Sequence, residues 1–389
     1  MSSNLMANYG RFELGFDRGV GSYLYTPEGD RYLDFASGIA VTSLGHSHPA
    51  LLASANKQLE KLWHVSNLYT IESQSKLAER LCKNSFADKV FFCNSGAEAV
   101  EASLKLARIY HNSSGAKDRW KVISFRNGFH GRTFATIAAS GQPKYLKGFG
   151  PVFDGFTQVN FLDIEAVRSV IDSETAAILV EPIQGEGGIH VASDSFLKEL
   201  REICDKNDLL LIFDEVQCGV GRSGRMWAHE WSGVKPDIMA TAKALGGGFP
   251  IGACMAIEEV GNAFIPGTHG STFGGNPVAS AIANTVLDIV DEREFLQNVT
   301  NVGDILVSNL QEVIKRSSII SEIRGRGLMV GLQCLIPAGD VISAFRKQKL
   351  LSVGAEGNTV RFLPPLIINE LEVNEACTAV SKALQRLEC

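Results

Sequence analysis

Apolar positions along the chain gather into short runs that end at glycine, proline or charged side chains. Such runs open at Lys89, Lys121 and Ala176 and span Leu209–Phe213 and Asp237–Ala242. Short runs without alternation predict strands buried on both faces of a parallel sheet. Between them, residues 50–63, 72–84 and 194–206 carry amphipathic helical patterns, and a long helix follows Ser95. Strands alternating with helices from about residue 88 to about 255 predict an α/β fold with a mostly parallel sheet flanked by helices.

The two ends read differently. Residues 11–35 alternate apolar and polar positions around Pro27-Glu28-Gly29-Asp30, a hairpin signal. Residues 276–315 look helical. Ile323–Leu335 and Asn358–Ile368 look like strands, with helices expected around 338–349 and 370–387. This tail predicts a smaller α+β domain. At 389 residues the chain exceeds one ordinary core, so two domains, or one large domain with a smaller satellite, are expected. The expected division is 1–50 and 277–389 for the small domain and 51–276 for the large one.

Composition narrows the function classes. The net charge is −6 and no basic stretch stands out, which argues against a nucleic-acid partner. No apolar run is long enough to span a bilayer, and the first residues lack a secretory or transit pattern, so a cytoplasmic location is expected. Eight cysteines are scattered without a CxxC or zinc-like pair, and read as small core residues, with Cys389 exposed at the end. His46 and His48 lack an acidic or thiol companion, so a turn at the active-site entrance is the better reading than a metal site.

The chemistry concentrates between Leu209 and Gly248. One apolar run ends in Asp214 and Glu215, and the next ends in Lys243, followed by three glycines. Ligands of open α/β sheets sit at the carboxyl ends of strands, so Asp214 and Lys243 are expected to face one crevice. A lysine among apolar neighbours has a lowered pKa and forms Schiff bases with carbonyls. Pyridoxal phosphate needs such a lysine, and a carboxylate that keeps its pyridine nitrogen protonated. Ser95-Gly96-Ala97 opens a helix, where free N–H groups attract an anion. Phe129 and Arg132 share a turn with His130, and suit a flat cofactor beside a substrate carboxylate. Gly219 to Gly224 fits GxGxxG, but the acidic residue a dinucleotide site requires is missing: position 239 is Met.

Together these segments resemble the class III PLP-dependent aminotransferases, and within them the acetylornithine aminotransferases. LGHSHP, FFCNSGAEA, FHGRT, GQPKYLKGFGP, VEPIQGEGG, FDEVQCGVGRSG, AKALGGGFPIGA, HGSTFGGNP and VRFLPPL carry the resemblance over nearly the whole chain. It implies the type I fold of PLP enzymes and a homodimer with shared active sites. It also implies transamination of N2-acetyl-L-ornithine with 2-oxoglutarate, giving N-acetylglutamate 5-semialdehyde and L-glutamate, in arginine biosynthesis. Ornithine, succinylornithine or 4-aminobutyrate aminotransferases are the alternatives, and a PLP-binding homologue without catalysis is disfavoured by Lys243, Asp214, Arg132 and Glu186.

On the resemblance, Lys243 is the Schiff-base lysine and Asp214 the partner of the ring nitrogen. Gln217 lies near the phenolic oxygen, in a cofactor segment with Glu215 and Val216, and Phe129 stacks on the ring. Gly96 and Ala97 form the phosphate turn, and Thr272 is a phosphate ligand given to the partner subunit. Arg132 holds the substrate carboxylate, with Ser271 beside it as a further substrate-binding residue. Arg361 holds the α-carboxylate of glutamate, and Glu186 pairs with Arg361 when glutamate is absent. The turn SGAEAV departs from the usual SGTEAN: Ala97 leaves backbone N–H groups where a hydroxyl is common, and Val100 replaces a polar side chain.

Overall fold

The computed structural model describes residues 4–388, so the expectation for Cys389 lies outside the described residues. Seven strands form the main sheet, in the order Lys89–Cys93, Gly252–Ala256, Ile238–Thr241, Leu210–Asp214, Thr175–Val180, Lys121–Phe125 and Phe156–Val159. Gly252–Ala256 is antiparallel to both neighbours, and the remaining adjacent pairs are parallel. The three central strands are buried at every residue, as unbroken apolar runs require.

Strand side chains alternate between two cores. Ile178, Val180, Leu211, Phe213 and Met239 face one, which the helices Asp194–Asn207 and Pro277–Val290 cover. Ala177, Leu179, Ile212, Ile238 and Ala240 face the other, beneath the helix Gly96–Ser113. With both faces covered, only the ends of the strands are open to a ligand.

The chain ends meet beside this sheet. Arg31–Asp34 pairs in parallel with Leu350–Leu351. Leu33 and Phe35 pack in a further core with residues from the helices Arg293–Ile314 and Glu370–Glu388. An antiparallel sheet of Ile320–Arg326, Met329–Cys334, Thr359–Phe362 and Val353–Ala355 completes this part. The expected hairpin at Pro27–Asp30 joins Tyr23–Tyr25 to Arg31–Asp34.

Three expectations are refined. Residues 276–315 form two helices, because Glu292 is extended (φ −70°, ψ 125°). The first helix packs in the large core and the second with the chain ends, so the sequence must turn between them. The change of core falls near Asp291–Glu292. Ile323–Leu335 belongs to a hairpin of two strands that turns at Gly327, where φ is +58° and a Cβ would lie 2.5 Å from the Ser223 carbonyl carbon. The strand opening near Asn358 stops at Phe362, before Pro364 and Pro365, which cannot donate to a ladder. Phe156–Val159 and Gly252–Ala256 carry no strong pattern of their own and are recruited by their neighbours.

Candidate active site

A cavity of about 380 Å³ opens at the carboxyl ends of the parallel strands. The loops that follow five strands of the main sheet supply its walls, as the rule for open α/β sheets anticipates.

Lys243 follows the strand Ile238–Thr241 after a single residue and lines the cavity. Its backbone is left-handed, with φ +44°, a conformation that costs a residue with a Cβ roughly 1–2 kcal/mol. Strain of this kind persists where the surroundings hold one side chain in one direction. The amine has no hydrogen bond or ion pair among the described residues. Burial lowers its pKa; Glu186, Asp214 and Glu181 oppose that shift, and Arg361 reinforces it.

Asp214 ends the adjacent strand and is buried. One carboxylate oxygen accepts the Val216 N–H at 3.0 Å, and the other meets His130 Nδ1 at 2.8 Å. Burial works against a charged imidazole here, but the hydrogen bond and charge of Asp214, with the charge of Glu181, raise the pKa of His130 overall. His130 is thus held as a donor to Asp214, which lines the cavity.

Glu181 is buried below this pair. Its oxygens accept Phe129 N–H at 2.9 Å and Gly185 N–H at 3.0 Å. Burial still dominates, and pushes its pKa from 4.5 up to about 7. The folded protein therefore binds a proton that the unfolded chain releases, so this group's contribution to stability is full below about pH 4.5 and is lost as pH rises through 7. Glu181→Gln is expected to flatten the fall in apoprotein melting temperature across that window. An unchanged slope would place the titration elsewhere.

The helix Gly96–Ser113 points its first turn into the cavity through Gly96 and Ala97. Ser95 caps it by accepting the Glu98 N–H at 3.2 Å. Glu98 itself is an ordinary capping acid, accepting the Asn94 N–H at 2.9 Å and the Ser95 hydroxyl at 2.9 Å. A Cβ on Gly96 would lie 2.5 Å from Val216 Cγ1, so only glycine lets the helix start this close to the Asp214 loop. The first turn of a helix, whose end favours negative charge, thus shares the cavity with a buried amine.

Arg361, 1% exposed, meets the cavity-lining Glu186 through both guanidinium ends, at 2.7 and 2.8 Å. Gln217 Oε1 accepts from Arg361 at 3.0 Å, and its amide donates to Glu186 at 3.4 Å. Burial pulls the Glu186 carboxyl upward, but the charge and hydrogen bonds of Arg361, with Lys243 and Gln217, hold it below its usual range. Phe129 and Arg132 also line the cavity, and Arg132 is exposed at its mouth.

Lys243, Asp214, Gly96, Ala97, Phe129, Val216, Gln217, Arg132 and Glu186 thus share one cavity, and Arg361 reaches it through Glu186 and Gln217. Others lie apart. The Glu215 carboxylate turns away and accepts Ala228 N–H at 2.6 Å, His229 N–H at 2.8 Å and His229 Nδ1 at 2.7 Å. Thr272 is exposed outside the cavity, and the Ser271 hydroxyl is bonded to Gly274 N–H at 2.9 Å and Asn94 Nδ2 at 3.3 Å. His46 pairs with Asp34 at 2.8 Å, and His48 precedes the helix Pro49–Leu59. Neither lines the cavity; Val41 does so instead. The glycines from 219 to 224 open no helix. They strap the chain around buried Arg222, which donates to the carbonyls of Leu328 and Pro364 at 2.9 and 2.6 Å.

His130 and Glu181 gained no role from sequence reasoning. Each makes its decisive contact far along the chain, His130 across 84 residues, so spacing carries no trace of it. The available signal was that a histidine between Phe129 and Arg132 needs a partner if it is buried.

Comparison with known proteins agrees with this geometry. The Aminotransferase class-III family model matches residues 5–384. Acetylornithine aminotransferase of Mesorhizobium japonicum is 54% identical, over 97% of this chain and 95% of its own. Acetylornithine aminotransferase 1 of Bradyrhizobium diazoefficiens is 52% identical, over 98% of this chain and 96% of its own. An ornithine aminotransferase structure from Toxoplasma gondii, described with partial occupancy of PLP at its active site, superposes with a TM-score of 0.95. It is 33% identical and covers 99% of this chain and 93% of its own. Class III aminotransferases depend on pyridoxal phosphate. By the full-length family match and the identity to these relatives, the chain belongs to the class III aminotransferases.

Proposed function

We propose that the protein transfers the terminal amino group of N2-acetyl-L-ornithine to 2-oxoglutarate, giving N-acetylglutamate 5-semialdehyde and L-glutamate, as a step of arginine biosynthesis. The observation that carries this reading is a buried amine without a hydrogen-bond or ion-pair partner among the described residues, Lys243, at the strand end next to a buried acid, Asp214. The names of the relatives support the choice of amino donor.

The residues fit pyridoxal phosphate: an unpartnered lysine, an acid braced by His130 and a helix N-terminus in one cleft meet its aldehyde, ring nitrogen and phosphate. When bound, this group supplies an aldehyde for amines and a cationic ring that accepts the electrons of an adjacent carbanion. Lys243 would hold it covalently through its amine. The Lys243 amine would serve as the base that takes the proton from the carbon bearing the substrate's amine, and would deliver it to the cofactor's aldehyde carbon. Asp214 would keep the ring nitrogen protonated. Phe129 and Val216 would confine the ring, Gln217 would meet its phenolic oxygen, and the Gly96 and Ala97 amides would receive the phosphate. Glu215 acts through the backbone, by fixing the turn after Asp214 through its contacts to Ala228 and His229.

Thr272 and Ser271 complete the phosphate and substrate sites of a partner subunit in a homodimer. The exposed side chains of Trp63, Leu68, Tyr69 and Phe273 support such an interface.

Two unlike substrates share the cavity. Arg132 holds the single carboxylate of acetylornithine and the distal carboxylate of glutamate. Glutamate brings a second carboxylate, which displaces Glu186 from Arg361. Because a charge-assisted pair is worth about 1.5–3 kcal/mol, Glu186→Ala is expected to shift the ratio of kcat/KM for glutamate over N-acetylornithine by roughly 10- to 100-fold. An unchanged ratio would remove the switch.

The likeness to an ornithine aminotransferase makes ornithine the competing donor. Rates for ornithine and N-acetylornithine on one preparation separate the two. On the present reading, a yellow absorbance band bleaches with N-acetylornithine and returns with 2-oxoglutarate. A band that ignores N-acetylornithine and bleaches with ornithine would overturn the assignment.

A further inference from the structure

We propose that Tyr145 is a positioning residue for Arg132: its ring is the platform that aims the carboxylate-binding guanidinium into the cavity. The inference rests on the reading of Arg132 given above. Arg132 is exposed and forms no ion pair among the described residues, so nothing acidic fixes its several rotatable bonds. Its guanidinium lies 4.1 Å from the centroid of the Tyr145 ring, and 5.6 Å from that of Phe129. A cation over an aromatic face is attracted by the ring quadrupole while its N–H groups stay free at the edge. An arginine held in this way loses little further freedom when a carboxylate arrives.

The platform is itself fixed from two sides. The edge of Tyr145 meets Phe129 at 5.7 Å and 77°. Tyr145 sits in the short segment Pro143–Leu146, and Lys144 of that segment is ion-paired with Glu356. The Glu356 N–H in turn donates to the Glu186 carbonyl at 2.8 Å. The wall carrying Arg132 is thus tied to the loop carrying Glu186, so the two carboxylate-binding ends keep a set separation. That spacing selects the length of the substrate between them.

The test uses enzyme loaded with pyridoxal phosphate and four variants, Tyr145→Ala, Tyr145→Leu, Tyr145→Phe and Arg132→Ala. Tyr145→Leu keeps bulk without a π face and serves if the alanine variant folds poorly. Removing the ring is expected to raise KM for both N-acetylornithine and 2-oxoglutarate by roughly three- to tenfold, with the loss carried by KM rather than kcat. Calorimetry should show a matching loss of affinity for glutarate, an unreactive dicarboxylate. Tyr145→Phe should restore both values, because the ring and not the hydroxyl does the holding. Failure of phenylalanine to rescue would overturn the proposal. So would normal KM values in the alanine and leucine variants while Arg132→Ala raises them, and that result would leave the assignment of Arg132 standing. If Arg132→Ala itself left both KM values and glutarate affinity unchanged, the underlying reading of Arg132 would fall first.

Discussion

Lys243→Ala is expected to lower the rate of amino transfer from N-acetylornithine by at least about 10³-fold, because it removes the covalent anchor and the general base together. The physical basis is the placement of one amine. Lys243 stands at a strand end in a left-handed backbone conformation, buried and without a partner. Burying an unpaired amine destabilises the fold, so its loss should not lower the melting temperature of the apoprotein. Activity and stability therefore separate in this variant, which a merely structural lysine would not allow. Single-turnover loss of the yellow band on mixing with N-acetylornithine, together with a thermal melt of apoprotein, measures both. A variant that kept more than a tenth of the wild-type rate would sink the assignment.

Asp214→Asn carries the second large effect. The substitution keeps size and can still accept the Val216 N–H, but it removes the charge that keeps the ring nitrogen protonated. Removing a group aimed at developing charge typically costs about 10²–10³ in kcat, and that range is expected here with a smaller change in KM. The neighbouring histidine supplies an independent readout. The pKa of His130 is raised by its hydrogen bond to Asp214 and by that charge, against strong desolvation. In the Asp214→Asn variant the pKa of His130 must therefore fall, and proton NMR of the imidazole would follow it. A loss of activity with an unmoved His130 would mean that the brace between the two plays no part.

The sheet was legible because its strands are buried on both faces, which leaves unbroken apolar runs such as Leu209–Phe213 in the sequence. The site was legible in part for the same reason. An acid and a lysine ending two such runs, Asp214 and Lys243, come together once those strands are neighbours. The break at Asp291–Glu292 was hidden, since apolar positions continue on both sides and only the change of core separates the helices. Gly252–Ala256 was hidden because glycine and alanine carry little strand preference, and burial between two neighbours decides the matter. His130, Glu181 and Tyr145 stand within recognisable loops, but their partners are set by tertiary packing. Glu215 shows the converse. Its position beside Asp214 suggests the cofactor, yet successive strand residues point to opposite sides, and its carboxylate is buried against Ala228 and His229.

Borohydride reduction of the protein loaded with pyridoxal phosphate, followed by peptide mass mapping, addresses the chemistry at its source. A pyridoxyl mass on the peptide that contains Lys243, absent when the substrate amine has first discharged the cofactor, is the result expected. Label on another lysine, or none at all in protein that retains the yellow band, would contradict the account.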